Sequence, residues 1–266
     1  MAKNPYLSII VPIYNQEDTI VEDILAIAHT LDQTPYSYEI IPVVDGAIID
    51  NSLSVLKKIG NKTIRPIGYQ LNRGKGYAVR YGMKLAKGEI ITFIDAGMDI
   101  DPMGIIMLLE HMKWYEADII IGSKLHAASI VNYPFQRKII TLGYYLLVKL
   151  LFGLKIRDTQ TGLKAYKKTV LKKVLPRLLV KQFAFDIEIL AVANRLGFKK
   201  IYDAPVKVKL NWKQSSIQMF GNNGIFFILL DTLAIWYRLN ILKYYEEGYK
   251  KQRLFDKALS MFVNKP

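Results

Sequence analysis

"EIITFIDAGMD", residues 89–99, joins an apolar run to two aspartates, and its reading decides the fold. Ile90, Ile91, Phe93 and Ile94 are β-branched or aromatic, which predicts a buried strand over 89–95. The run delivers Asp95 to the strand's C-terminal end. Asp99 follows four residues later, with Gly97 between them. Outward from this point the same pattern recurs. "LSIIVP" (7–12), "YEIIPVV" (38–44) and "ADIIIGS" (117–123) read as further strands, with a short one near "TIRPIG". Helical periodicity fills the gaps: 17–31, where Ile20, Ile24, Ile27 and Leu31 share a face, then about 50–59, 74–86 and 102–116. Strand–helix alternation of this kind predicts an α/β fold, a mostly parallel central sheet with helices on both faces. Ligands of such sheets bind beyond the carboxyl ends of the strands. Asn15, Asp45, Asp95 and Ser123 all fall at such ends.

The chain has 266 residues, 51% of them hydrophobic, enough for one large domain or one domain with an appended helical piece. It has no cysteine, which excludes disulfides, cysteine-held zinc and thiol catalysis. His29, His111 and His126 lack metal spacing. The net charge of +14 is uneven: 12 Lys+Arg against 15 Asp+Glu over 1–133, and 25 against 8 over 134–266. A basic second half implies an anionic partner, either nucleic acid, a phosphorylated acceptor or an anionic membrane surface. The basic residues do not interleave with aromatics as a stacking platform requires, so nucleic acid is not expected. "MAKNPYLSIIVP" lacks a long apolar core and a cleavage site, so no secretory signal is expected. Two stretches approach a membrane span but are interrupted, 138–154 by Lys149 and 225–242 by Asp231 and Arg238. Around them lie a loop (155–166), a helix (183–197), an edge strand pair near 199–210, and a charged, aromatic tail after 242.

"NRGKG" (72–76) fails as a P-loop, because five residues separate Gly68 from Gly74 and Gly76 replaces the magnesium-binding Ser or Thr. Val79 breaks a G-x-G-x-x-G reading. Two readings remain: an anion nest of freed N–H groups with Arg73 and Lys75 adding charge, or a basic helix cap.

Taken in order, "LSIIVPIYNQEDTI", "VVDGAIIDNS", "NRGKGYAVRYGMKLAKGEIITFIDAG" and "GSKLH" resemble the nucleotide-sugar-binding half of a GT-A (Rossmann-like) family 2 glycosyltransferase. "PFQRKIITLGYYLL", "GLKIRDTQTGLKAYKK", "FAFDIEILAVANRLG" and "APVKVKLNWKQSSI" are similar to its dolichyl-phosphate β-glucosyltransferase branch, so the resemblance covers about residues 7–240. It implies that Pro12, Tyr14, Asn15 and Glu17 line a nucleotide pocket, that Asp45 accepts a hydrogen bond from the base, and that Arg73 and Lys75 lie near the diphosphate or sugar. Gly46, Ala47 and Ile48 depart from the family's Asp-Gly-Ser there. The family's D-x-D holds a divalent cation, Mg²⁺ or Mn²⁺, against the departing nucleoside diphosphate. Gly97 replaces its second Asp. If the loop is extended, residues 95, 97 and 99 share one side, and Asp99 supplies the missing carboxylate, with Asp101 next in line; the alternative is a lost metal, with basic residues neutralising the leaving group.

On the acceptor side the resemblance assigns Lys124, Arg137, Thr141, Lys213 and Ser216 to a lipid phosphate, with Arg137, Lys124, Asp158 and Asp95 carrying the chemistry. Gln160 is expected near the sugar. Asp186 and Glu188 are either sugar binders or anchors of a loop and helix. The stretches 138–154 and 225–242 are expected to lie in a membrane interface as amphipathic helices, though such faces equally suit core packing or a homodimer. The expected organisation is a catalytic domain over 1–218, with a donor part (1–133) and an acceptor part (134–218), followed by an amphipathic helix and basic tail over 219–266. The expected function is an inverting transfer of a hexose, foremost glucose from UDP-glucose, to dolichyl or polyprenyl phosphate by a peripheral enzyme on the cytoplasmic face of a membrane. The alternatives are a GDP-mannose-dependent transferase on the same acceptor and a nucleotide-sugar-binding protein that has lost catalysis.

Overall fold

In the computed structural model, which describes residues 4–131, 135–208, 216–246, 253–256, 259 and 261–264, the apolar run is a strand, Ile90–Ile94, with all five residues buried. It is β4 of the chain. Before it come β1 (Leu7–Ile13), α1 (Ile20–Asp32), β2 (Tyr38–Asp45), α2 (Ser52–Lys57), β3 (Ile67–Tyr69) and α3 (Lys75–Leu85). After it come α4 (Met103–Trp114), β5 (Ile119–Ser123), β6 (Ile130–Val131), α5 (Phe135–Phe152), β7 (Leu163–Lys167), α6 (Lys168–Val174) and a 3-10 turn at Leu175–Arg177. The chain continues through α7 (Phe185–Arg195), β8 (Ile201–Pro205), β9 (Lys207–Val208), α8 (Ser216–Asn240), β10 (Arg253–Asp256) and β11 (Met261–Asn264).

Seven strands form one sheet in the order β3-β2-β1-β4-β7-β5-β8. Neighbours are parallel except around β7, which runs antiparallel to both β4 and β5. The expected mostly parallel α/β sheet is therefore present, and the carboxyl ends of β1, β2, β4 and β5 share one edge. Each strand's alternation feeds two cores. Ile9 and Val11 pack with Ile24, Leu31 and Leu108 of α1 and α4. Ile10 and Phe93 pack on the other face with Val79, Phe185 and Val192 of α3 and α7. This second cluster also takes in Ile235, Leu239, Tyr244, Tyr245, Leu259 and Met261, so the C-terminal segment shares the core of the preceding domain.

Three expectations change. Residues 163–167 are a central strand rather than the end of a loop. "LKAYK" neither alternates nor runs apolar, and it stays inside only because the charge of Lys164 is neutralised there. The strand pair near 199–210 is divided, since β8 joins the main sheet through β5 whereas β9 pairs with β6. The tail holds an antiparallel pair, β10 with β11. Among the described residues, no helix is long and apolar enough to cross a membrane. Helices α5 and α8 do expose large apolar side chains, among them Leu142, Leu146 and Leu150 on one and Phe226, Phe227, Leu230 and Leu233 on the other.

Candidate active site at the carboxyl edge of the sheet

Asp45 closes β2 and is buried. Its carboxylate accepts the backbone N–H groups of Arg73 (2.6 Å) and Gly74 (2.8 Å). The glycine-rich loop is therefore a nest, but an internal carboxylate fills it. This accounts for the shape of "NRGKG" without a bound phosphate at that spot. Asp45 is the buried support of the loop, and a carboxylate keeps further acceptor positions beyond these two bonds. The adjacent Gly46 has φ +86°, where an L side chain is strained, and a Cβ would fall 2.7 Å from Ile49. The absence of the family's second Asp is thus built into the backbone.

The loop presents two cations to the edge. Arg73 donates to the Tyr77 hydroxyl at 3.1 Å and lies over that ring. Lys75 opens α3, and its Nζ lies 2.7 Å from each oxygen of Asp95. The Asp95 backbone is fixed by its N–H to the Gly162 carbonyl, at 2.8 Å. The side chain lies so close to Gly162 that a Cβ there would meet Oδ2 at 2.0 Å. The glycine of "RDTQTG" is therefore required by the aspartate of "FIDAG".

The loop after Asp95 is not extended, which corrects the expectation of alternating side chains. Gly97 has φ +91° and Met98 φ +55°, so residues 96–99 turn. The Gly97 N–H, at 2.9 Å, is held by Asp23 of α1, a buried carboxyl that desolvation pushes above its usual range. Asp99 is half-buried at the end of this turn. Asp101 instead turns to the start of α4, accepting the Met103 N–H at 3.1 Å. Among the described residues, no three His, Cys, Asp or Glu side chains gather as a metal set. Magnesium and manganese commonly bind through one or two carboxylates, with phosphate oxygens and water completing the shell. Asp95 and Asp99 are two carboxylates, the number such an ion commonly takes when a diphosphate completes its shell.

The facing wall comes from "RDTQTGLK". Asp158 is buried and accepts the Lys124 N–H at 3.1 Å, while Lys124 Nζ lies 3.7 Å away. Gln160 reaches the Tyr144 hydroxyl of α5 at 3.5 Å, and that hydroxyl lies 2.9 Å from Thr232 of α8. Burial pushes the Tyr144 phenol up to about 12. Beneath these groups Lys164 and Asp186 form a fully buried ion pair at 2.6 Å, with Lys164 also donating to the Thr161 carbonyl. Burial lowers the lysine and raises the aspartate, and each is pulled back by the other's charge. Asp186 is thus an internal anchor. Glu188 is one too, accepting the N–H groups of Leu179 and Val180 and the Tyr245 hydroxyl at 2.7 Å.

The remaining expected residues divide. Pro12 lies near the end of β1, and Tyr14, Asn15 and Glu17 follow it; Asn15 has φ +52°, and Glu17 accepts the Asn51 N–H of the neighbouring loop at 2.6 Å. Thr141 is half-buried on α5. Arg137 lies on α5 and Ser216 opens α8, but their side chains, and Lys213 altogether, lie outside the described residues. Sequence reasoning gave no role to Asp23, Tyr144 or Lys164. Lys164 and Tyr144 each had a signal, lying inside stretches already singled out, whereas Asp23 had none.

With this architecture and edge in place, the chain matches Glycosyl transferase family 2 over residues 8–175, and it belongs to that family of glycosyltransferases. Its fold is the GT-A arrangement. Among relatives, it is 36% identical over 205 residues to dolichyl-phosphate beta-glucosyltransferase of Drosophila melanogaster, covering 71% of this chain and 63% of that one. The human protein of the same name is 31% identical over 224 residues, covering 78% and 67%. The chain thus spans about two thirds of the length of these relatives. The structure of glucosyl-3-phosphoglycerate synthase from Mycobacterium tuberculosis with Mn²⁺, UDP and phosphoglyceric acid superposes with TM-score 0.64 at 16% identity, covering 98% and 86%. Mannosyl-3-phosphoglycerate synthase from Rubrobacter xylanophilus gives 0.66 at 13%, covering 98% and 87%. At such identity these two speak to the fold.

Proposed function

We propose that this glycosyltransferase moves glucose from UDP-glucose to dolichyl or another polyprenyl phosphate, with inversion, at the cytoplasmic face of a membrane. One observation carries the acceptor assignment. Tyr144 links Gln160 of the polar wall to Thr232, tying the site to α5 and α8, and these helices expose Leu146, Leu150, Phe226 and Phe227. An acceptor with a phosphate head and an apolar tail matches that juxtaposition. The relatives named for dolichyl phosphate support the same reading. In this division residues 1–133 serve the donor, 134–218 the acceptor, and 219–266 add the amphipathic helix and tail.

Asp45 holds the donor loop in shape, and Pro12, Tyr14, Asn15 and Glu17 line the nucleotide side. Arg73 and Lys75 bring charge to the diphosphate. A divalent ion held by Asp95 and Asp99 would stabilise the charge that builds on the departing diphosphate. Lys124, Arg137, Thr141, Lys213 and Ser216 hold the acceptor phosphate, with Asp158 fixing Lys124. A phosphate monoester has a second pKa near ~6, so it is already a nucleophilic dianion near neutral pH and needs positioning more than a base. Its oxygen bonds to the anomeric carbon as the bond from that carbon to the nucleotide phosphate breaks. The test offers UDP-glucose, GDP-mannose and UDP-N-acetylglucosamine to the protein with polyprenyl phosphate, with and without Mn²⁺. A lipid-linked glucose that vanishes with EDTA is expected. Product from GDP-mannose alone would transfer the reading to a mannosyltransferase, and no product from any donor would leave a binding protein.

A further inference from the structure

We propose that Lys75 is the cation Asp95 holds before ligands arrive, so that a divalent ion joins this chain only together with the nucleotide's phosphates. The inference rests on the donor-site reading above and adds an order of binding to it. Lys75 Nζ stands 2.7 Å from both oxygens of Asp95, where a metal bound to that carboxylate would compete with it. The backbone carrying the lysine is fixed. Asp45 holds the preceding residues, the Tyr77 N–H is held by the Lys181 carbonyl at 3.1 Å, and a Cβ on Gly76 would meet Phe185 at 2.6 Å. Only the flexible four-carbon stem is left to move.

The charge around this pair points the same way. Asp95, Asp158 and Asp186 each have a lysine within reach, Lys75 at 2.7 Å, Lys124 at 3.7 Å and Lys164 at 2.6 Å. Each of these three carboxylates is matched by an ammonium, so with Asp99 counted the set carries a surplus of one negative charge. Affinity for hard divalent cations follows the charge of the ligand set. A nucleoside diphosphate supplies the missing anions. It also gives the ammonium somewhere to go, since Lys75 can turn from the carboxylate to a phosphate oxygen while the metal takes its place.

The test is Mn²⁺ binding to the full chain, by calorimetry or by loss of the free Mn²⁺ electron-spin resonance signal, with and without UDP. The wild type is expected to bind Mn²⁺ at least tenfold more tightly with UDP than alone. Lys75→Met is expected to bind Mn²⁺ alone at least tenfold more tightly than the wild type, shrinking the effect of UDP. Lys75→Arg, which keeps the charge, is expected to keep Mn²⁺ binding weak, and a thermal melt of each variant checks the fold. Equal Mn²⁺ affinity of wild type and Lys75→Met without UDP, or wild-type binding indifferent to UDP, overturns the inference and leaves the transferase reading standing. Absence of Mn²⁺ binding in every protein, even with UDP, overturns both the inference and the metal assignment beneath it.

Discussion

Two lysine–aspartate pairs serve this site from opposite sides and differ in burial. Lys75–Asp95, at 2.7 Å, has side chains 20% and 35% exposed, whereas Lys164–Asp186, at 2.6 Å, is 0% and 3% exposed. Water and ligands reach the first pair, so its charges can be exchanged for others during a reaction. The second pair is desolvated, and breaking it strands a charge in an apolar core beside Phe93. The same chemistry is thus a removable plug in one case and a foundation in the other. Their charges are coupled, because the carboxyl of Asp186 responds to both Lys75 and Asp95.

The comparison breaks most visibly under substitution of the buried lysine. Lys164→Met leaves Asp186 unpaired and is expected to lower unfolding free energy by about 3–5 kcal/mol, whereas Lys75→Met is expected to cost less than about 1 kcal/mol. Urea denaturation of both variants measures the difference; similar losses would erase the distinction. Next in size is Asp95→Ala. It is expected to reduce formation of lipid-linked glucose roughly 10²–10³-fold, a loss typical of removing one transition-state charge stabiliser, with little change in the melting temperature. Undiminished product would remove Asp95 from the reaction.

This contrast was only half legible in the sequence. The strand ends that carry Asp45 and Asp95 were readable because β1, β2 and β4 are apolar runs bounded by polar residues. The pairing of Lys75 with Asp95, and of Lys164 with Asp186, was not, since twenty residues or more separate the partners and only the sheet brings them together. β7 escaped because a strand buried on both faces needs no alternation, and Lys164 disguised it as a loop. Gly97 signalled a turn, but nothing in the sequence marked Met98 as left-handed, and an extended loop was the natural expectation. β10 and β11 were hidden in a charged tail whose apolar residues show their purpose only against the rest of the core.

Beyond the polar wall, the apolar helices offer a smaller effect. Leu150 is 83% exposed on α5, so Leu150→Asp removes no packing and is expected to leave stability unchanged. If the face enters a membrane, the same change is expected to weaken binding to anionic vesicles by at least about tenfold, because burying one leucine side chain is worth about 1.5–3 kcal/mol and the new carboxylate is repelled by the anionic surface. Cosedimentation with vesicles reads this directly, and unchanged binding would detach the α5 face from the membrane.

The last expected effect, confined to a pH window, separates the titration of the wall from that of its foundation. Asp203 accepts the Arg157 N–H at 3.1 Å, at the start of "RDTQTG". Burial, more than the neighbouring charge of Asp158, pushes its carboxyl from an ordinary 3.8 up to about 6. A carboxyl raised in the folded state holds its proton more tightly there than in the unfolded chain. The stability it contributes is therefore full below about pH 4 and is lost as pH rises through about 6. Melting temperatures of the wild type and Asp203→Asn, measured from pH 4 to 7 at constant ionic strength, should diverge in the direction of a falling wild-type curve across that window. Parallel curves would place any such slope elsewhere, foremost on the Lys164–Asp186 pair. A pH-dependent loop would then be governed from the foundation of the wall rather than from its rim.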